Sequence, residues 1–550
     1  MIDDGALSPS ARADAVARLE REHLDVLVIG GGITGVGIAL DAVSRGLSVG
    51  LVESRDLAVG TSSRSSKLIH GGLRYLEMLD FRLVREALRE RHLLLTRLAP
   101  HLVRPVELMF PLTHRGWERP YLGAGLLLYD AMGRRGGGRH LPRARHLSRR
   151  AALASAPALR PDSLVGAVRF HDAQEDDALY AVYVARTAAA GGASIATRVR
   201  AERFSRDETG RIRGVLAHDQ LTGRQFEIRA RHTVAAVGVA TDRILEEATG
   251  RPHRALRPSK GVHLIVPRSS IAMRTGLFMR TEKSIFHAIP WGSDHWLLGD
   301  TDTEWDGEID TPIANRADIE YVLAKVNSVL VRPVGKGEIV GVFAGLRPLV
   351  AAAGTADTTR LSREHRLFSP LPGLTAIAGG KYTTYRVMAR DAVDLVARDL
   401  DSTNPSATDR LPLLGAAAPL DDEDPVRLRH GSCADEVLTL AQDDPKLAAP
   451  LAGAGRYILA EAVHAVTHQG ALDLDDILSR RTRVSIEVVD RGRTATAAIA
   501  PLVAPLLDWS EDRAAEELHR YLRLRDAEAA AESAPDDAAA AVAYRRVMEG

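Results

Sequence analysis

The feature that most constrains this chain is Gly30-Gly31-Gly32-Ile33-Thr34-Gly35, a G-x-G-x-x-G motif between a strand-like and a helix-like stretch. Asp25 to Ile29 is apolar and β-branched, as in a strand buried on both faces. Val36 to Arg45 reads as a helix stopped by Gly46, and Leu47 to Glu53 as a second strand. A βαβ unit of this kind uses its first glycine for a tight turn. The second lets the backbone approach a pyrophosphate, and the third brings helix and strand together. The N–H groups at the helix start then face the phosphates. Glu53 closes the second strand, where its carboxylate can accept hydrogen bonds from ribose hydroxyls. Glycine-rich returns near Gly238 and Gly379 favour FAD over NAD, because a flavin of that length needs repeated visits by the chain.

The 550 residues allow about three domains at roughly 100–200 residues each. Lys+Arg and Asp+Glu are both 72, so there is no global pull toward nucleic acid. The single cysteine, Cys433, excludes an intrachain disulfide and a cysteine-based metal cluster, and fits a reducing compartment. No metal is called for. The acidic start MIDDGALSPSARADAV lacks the apolar core of a secretory signal. Leu122 to Met132 is apolar but too short to span a bilayer. No basic amphipathic anchor is evident from the sequence.

Further along, Ala11–Glu22, Leu76–Leu98 and Asp177–Ala190 read as helices, and Asp56–Gly72 and Gly133–Gly138 as loops. Gly214–His218, Gln225–Ala230 and His232–Val237 read as strands, and Val262–Val266 and Trp296–Gly299 as strands of a second, antiparallel sheet. Residues 401–420 are rich in Ser, Pro and Asp, as a linker is. Beyond them Tyr457–Thr467 and Thr494–Leu507 are helical, and the Ala/Asp/Glu-rich end after about Arg525 reads as a solvated helix or frayed tail.

Several segments together resemble the FAD-dependent glycerol-3-phosphate dehydrogenases of the respiratory type. They are SSRSSKLIHGGLRYLE (Ser62–Glu77), GVFAGLRPL (Gly341–Leu349), LSREH (Leu361–His365), GGKYTTYR (Gly379–Arg386) and AVTHQGALDLDDILSRRTR (Ala465–Arg483). The resemblance implies an α/β fold: a Rossmann-like FAD-binding domain of the D-amino-acid-oxidase type, an inserted antiparallel-sheet substrate domain and a C-terminal helical domain. The expected boundaries are 20–400 for the oxidoreductase domain, 401–420 for the linker, 421–527 for the helical domain and 528–550 for a tail. Within the first, the FAD part covers about 20–105, 165–245 and 340–400, and the substrate part about 106–164 and 246–339.

The implied reaction is oxidation of sn-glycerol 3-phosphate to dihydroxyacetone phosphate, with electrons passed to a quinone-type acceptor. The resemblance also implies a cytoplasmic protein, and leaves open peripheral contact with the inner face of the cell membrane and a homodimer. A phosphate monoester carries a charge near −2 and needs cations in a recess. By resemblance, Arg74, Arg347 and Lys381 hold it, joined by Tyr75 and Thr384. Arg347 also suits the stabilisation of a developing alkoxide, although arginine does not lose its proton. The candidate proton acceptors are His263 and His70. The cofactor is expected at Gly30, Gly31, Gly32, Thr34, Gly35, Glu53, Thr61, Ser62, Ser66, Lys67, His70, Gly71, Gly72, Gly238, Gly345, Gly380, Lys381 and Thr383.

Three departures stand out. The family's Asn-Ala-Thr-Gly, followed two residues later by Trp, is replaced by Ala235-Ala236-Val237-Gly238-Val239-Ala240. Asp300 adds a carboxylate where a dianion should bind, and Leu179 replaces an arginine. Two other readings stay open: an amine or amino-acid oxidase of the same fold, and, motivated by the Ala235–Ala240 changes, a catalytically weakened FAD-binding paralogue.

Overall fold

The computed structural model describes residues 5–72, 80–114, 116–133, 141–281, 285–351, 364–417 and 424–550. The predicted loop at Gly133–Gly138 and the helix start at 76–79 therefore fall largely outside the described residues.

The βαβ unit forms as predicted: strand His23–Ile29, helix Ile33–Ser44 and strand Val49–Glu53. It lies at the centre of a sheet ordered 365–371, 374–379, 224–235, 23–29, 49–53, 194–197. The central strand pairs in parallel with Arg224–Ala235 on one side and Val49–Glu53 on the other. Three helices, Ile33–Ser44, Asp177–Ala190 and Tyr385–Asp399, pack together over one face through Val36, Val182 and Val393. The other face is closed by Val16, Phe204 and Leu245. The two strands predicted at Gln225–Ala230 and His232–Val237 are one continuous strand, because Arg231 continues the alternation and points outward.

The second sheet is mostly antiparallel and runs 303–304, 256–267, 295–299, 285–291, 276–280, 103–112, 166–175, 68–69. Strand Gly341–Val350 joins it along ten registered pairs with Leu256–Ile265. Gly166–Glu175 and Gly341–Val350, expected in the FAD part, are thus strands of the second sheet. Alternation marks a strand but not its sheet, which is fixed by distant partners. Leu68–Ile69, predicted as loop, likewise pairs with Ala173 and Gln174.

The C-terminal part is helical, with one small hairpin. Tyr457, expected in a helix, belongs to strand Ala454–Ile458, and the helix begins at Leu459. Gly453 adopts φ +74°, the turn that folds this strand back on Pro450–Leu451. The end of the chain is not a frayed tail. Helices Glu511–Ser533 and Asp537–Glu549 form a hairpin that buries Ala531, Ala534 and Ala540 against Ile313. Asp537 pairs there with Lys260 of the second sheet.

The seam between the helical part and the FAD-type part is ionic. Asp56 is fully buried against Arg480 and Arg481, and Arg186 meets Glu436 at 2.9 Å. Histidines line it as well. His464 lies 2.6 Å from Glu436, and the His101 ring meets Tyr183 edge-on. Burial pushes both histidines down to about 3. A histidine depressed in the folded state but ordinary when unfolded costs stability as pH falls below about 6.5. Each is therefore expected to remove about 2 kcal/mol between pH 7 and pH 5. Denaturant midpoints across that window should fall, and His101→Phe should flatten the fall. A flat profile for the native chain would contradict the assignment.

A candidate flavin and phosphate-ester cleft

A cleft of about 570 Å³ opens where the two sheets meet, a size usual for a cofactor or small-molecule site. Gly30, Gly32 and Thr34 line one side, and Gly345, Arg347 and Lys381 line another. The motif glycines divide the work as their spacing predicts. Gly30 adopts φ +111°, and a Cβ there would come within 2.6 Å of the Ala236 carbonyl oxygen. A Cβ on Gly35 would collide with the Gly30 carbonyl, so this residue sets helix–strand packing. Gly35 and Gly31 do not line the cleft. The Gly31 N–H instead donates to Glu53 Oε2 at 2.7 Å. Gly32 caps the helix without a side chain, and the Ile33 N–H donates to Ser62 Oγ at 2.9 Å. Glu53 also accepts from the Arg55 N–H at 2.7 Å, and its carboxylate borders the cleft.

The donor set fits FAD. An uncapped helix N-terminus, a glycine turn and a strand-end carboxylate take pyrophosphate and ribose. Gly238, at φ +55°, has open space where a Cβ would be. Thr61, Ser62, Ser66, His70, Gly380 and Thr383 all line the cleft. Thr61 Oγ1 donates to the Leu346 carbonyl at 2.6 Å, tying this loop to the second sheet. Thr383 Oγ1 accepts from the His70 N–H at 3.1 Å.

Several expected residues are placed differently. Lys67 does not reach the cleft. It is fully buried, with Nζ 2.7 Å from Asp177 and 3.1 Å from the Ser63 carbonyl, above the Phe343 ring. An ammonium out of water needs a carboxylate, and Asp177 supplies it. Gly71 is a glycine for a different reason from the one expected. A Cβ there would strike Leu88 and the Tyr129 hydroxyl, and its N–H donates to that hydroxyl at 2.7 Å. Neither Gly71 nor Gly72 lines the cleft. Thr384 is buried at the start of a helix, with Oγ1 toward the Lys381 carbonyl, so it does not face a substrate. Arg74 and Tyr75 lie outside the described residues, as does most of LSREH. Of the three phosphate-binding candidates, Arg347 and Lys381 converge on the cleft into which Gly30 and Gly32 open.

Asp300 does not present a bare carboxylate. It forms an ion pair with Arg347, whose guanidinium also donates to the Thr301 carbonyl at 2.9 Å and Ser259 Oγ at 3.3 Å. The extra acid thus fixes the orientation of the cation and offsets part of its charge. His263 borders the same region. Its Nε2 lies 3.1 Å from Ser66 Oγ, and its ring stacks on Phe343 at 4.9 Å. Burial holds it well below the ordinary histidine range, and the Asp300 charge opposes that shift. His263 is therefore neutral near pH 7, and the Asp300 carboxylate is the nearby charge that favours its protonated form.

The loss of an arginine at Leu179 is compensated. Leu179 is packed in the core, and Asp177, two residues earlier, is paired with both Lys67 and Arg483. Arg483 also meets Asp176 at 2.7 Å. The sequence reading missed this clamp, because its members are separated by more than a hundred residues. It also missed Ile309 and Asp310, which line the cleft from a loop with no motif of its own.

The family model for FAD dependent oxidoreductases matches residues 25–386, and the model for the C-terminal domain of alpha-glycerophosphate oxidase matches residues 406–514. Glycerol-3-phosphate dehydrogenase 2 of Mycobacterium bovis is 47% identical over 553 aligned residues, covering 97% of this chain and 94% of that one. The mitochondrial glycerol-3-phosphate dehydrogenase of Mus musculus is 36% identical, covering 94% of this chain and 75% of that one. Among solved structures, the glycerol-3-phosphate dehydrogenase of Bacillus halodurans complexed with FAD superposes with a TM-score of 0.76 at 28% identity. That match covers 94% of this chain and 97% of that chain. The glycine oxidase of Geobacillus kaustophilus, at 20% identity and a TM-score of 0.51, shares the fold over 68% of this chain.

Proposed function

Because this chain belongs to the FAD-dependent oxidoreductase family, as a relative of the glycerol-3-phosphate dehydrogenases along nearly its whole length, we propose that its cleft oxidises sn-glycerol 3-phosphate to dihydroxyacetone phosphate. The observation that carries the reading is the convergence of Arg347 and Lys381 on the cleft that the Gly30–Gly35 turn opens into. A flavin-linked amine oxidase needs one cation for a carboxylate. Two cations beside a neutral histidine suit a phosphate ester that is also an alcohol.

FAD, held by Gly30, Gly32, Glu53, Ser62 and Gly238, supplies the two-electron acceptor for the C2 hydrogen of the alcohol. The chain's own residues do the rest. Lys381 acts as a point charge on the phosphate. Arg347, oriented by Asp300, Thr301 and Ser259, lowers the energy of negative charge developing at the C2 oxygen. His263 takes the hydroxyl proton, and His70, which also lines the cleft, is the second candidate acceptor. Electrons then pass to a quinone-type acceptor, with the protein lying at a membrane surface. Among the described residues, no helix is long and apolar enough to cross a membrane.

Turnover of sn-glycerol 3-phosphate compared with glycine, sarcosine and D-amino acids, using a soluble dye as acceptor, tests the substrate class. The phosphate ester alone should be oxidised. Turnover of the amino acids without the ester would overturn the reading.

A further inference from the structure

A second histidine stands beside His263. The strands Leu256–Pro267 and Ile285–Trp291 flank the strand His295–Gly299, and Gly299 is the registered partner of His263 on one side and of His287 on the other. Side chains directly opposite one another in neighbouring strands share a face of the sheet. Both imidazoles therefore stand on the face where Gly299 carries no side chain. A Cβ on Gly299 would come within 2.2 Å of the His263 ring. Because it is absent, the two rings lean together over the glycine, with centroids 5.6 Å apart.

Phenyl rings close this row at both ends. Phe343 stacks on His263, and Phe278 stacks on His287 with centroids 5.8 Å apart. Phe170 meets Phe278 edge-on. Both histidines are buried, and His263 Nδ1 and His287 Nε2 have no hydrogen-bond partner. An imidazolium needs partners for two donors. Two unit charges 5.6 Å apart and out of water repel strongly, so this box takes one proton far more readily than two. Few charges act on the pair. Asp300 favours a proton on either ring, Arg347 opposes it on either, and Lys67 opposes it on His263. A proton on His287 in turn opposes one on His263. Burial depresses both rings, His263 further than His287, so the first proton to arrive in acid goes to His287.

We propose that His287 is a positioning residue for the proton acceptor: in acid it takes the one proton the shared box readily holds, and so keeps His263 free for the substrate hydroxyl. Only an N–H bond is made, by a proton from solvent, and it is broken again as the pH rises. The inference rests on the oxidation proposed above, with His263 as acceptor.

The test is the pH dependence of dye-linked kcat/KM for the full-length, FAD-loaded protein. His287→Gln should move the acidic limb up by about one to two pH units, because His263 then meets the first proton itself. Above about pH 8 both rings are neutral, and kcat and KM should stay at the wild-type values. A purely structural role would lower activity at every pH and leave the limb in place. Should the glutamine variant misfold, His287→Phe extends the row of phenyl rings and reads the same limb. Histidine ring signals in nuclear magnetic resonance, titrated in the resting wild-type protein, separate this inference from the substrate assignment. His287 should protonate before His263 whether or not sn-glycerol 3-phosphate is oxidised. An unmoved limb in a folded variant, or a His263 signal that titrates first, would overturn the proposal and leave the oxidation standing.

Discussion

Lys381→Ala is expected to raise KM for sn-glycerol 3-phosphate by about 10- to 150-fold, the equivalent of losing one charge-assisted contact worth about 1.5–3 kcal/mol. The flavin should stay bound, since the Gly30–Gly35 turn and Glu53, proposed above to hold the cofactor, are untouched. Arg347→Ala should be the more damaging change, for two reasons. It removes the cation that favours charge at the C2 oxygen, so kcat falls as well as kcat/KM. It also takes the Arg347 guanidinium away from Asp300, so more of that carboxylate's charge opposes the dianion. The second effect can be isolated, because Arg347→Ala combined with Asp300→Ala should recover part of the lost affinity. Steady-state kinetics of the three variants decides. Unchanged constants in both single variants would remove Lys381 and Arg347 from the site.

Arg483→Ala is expected to cost about 3–5 kcal/mol, the usual effect of taking one partner from a buried ionic cluster. Asp177 is fully buried, and Asp176 contacts the same guanidinium, so both would lose a direct ion-pair partner while Lys67 stays paired with Asp177. Arg483 belongs to the C-terminal part and Lys67 to the loop whose neighbour Ser66 touches His263. Loss of the clamp should therefore loosen the cleft as well as the seam. A lowered thermal midpoint together with weaker FAD retention is the expected pair of readings. A midpoint equal to that of the native chain would mean that the cluster is not a stabilising contact between the two parts.

Legibility in the sequence followed distance along the chain. The βαβ unit was readable because Gly30, Gly32, Gly35 and Glu53 form a local pattern whose geometry is set within about thirty residues. Arg347 and Lys381 were legible through the resemblance, each sitting in a segment, GVFAGLRPL or GGKYTTYR, that carries it. Lys67 looked equally functional by the same signal. Its fate was decided by Asp177, 110 residues away, which no local pattern announces. The arginine lost at Leu179 and the carboxylate added at Asp300 looked unfavourable, yet distant partners, Arg483 and Arg347, account for their surroundings. The chain end was misread on composition. Alanine-rich helices look solvated, but alanine is small enough for close helix packing, and Ala531 and Ala540 are fully buried. The exposed side of Glu118–Gly133 was hidden in a run apolar on almost every position. Only the contacts of Gly123, Leu126 and Tyr129 reveal which half faces out.

The central claim is that one cleft brings a flavin and a phosphate-bearing alcohol together. Anaerobic addition of sn-glycerol 3-phosphate to the FAD-loaded protein, followed through the visible flavin band, tests it most directly. The account predicts bleaching in proportion to the ester added, with dihydroxyacetone phosphate recovered in equal amount. A flavin that stays oxidised under excess ester would contradict it.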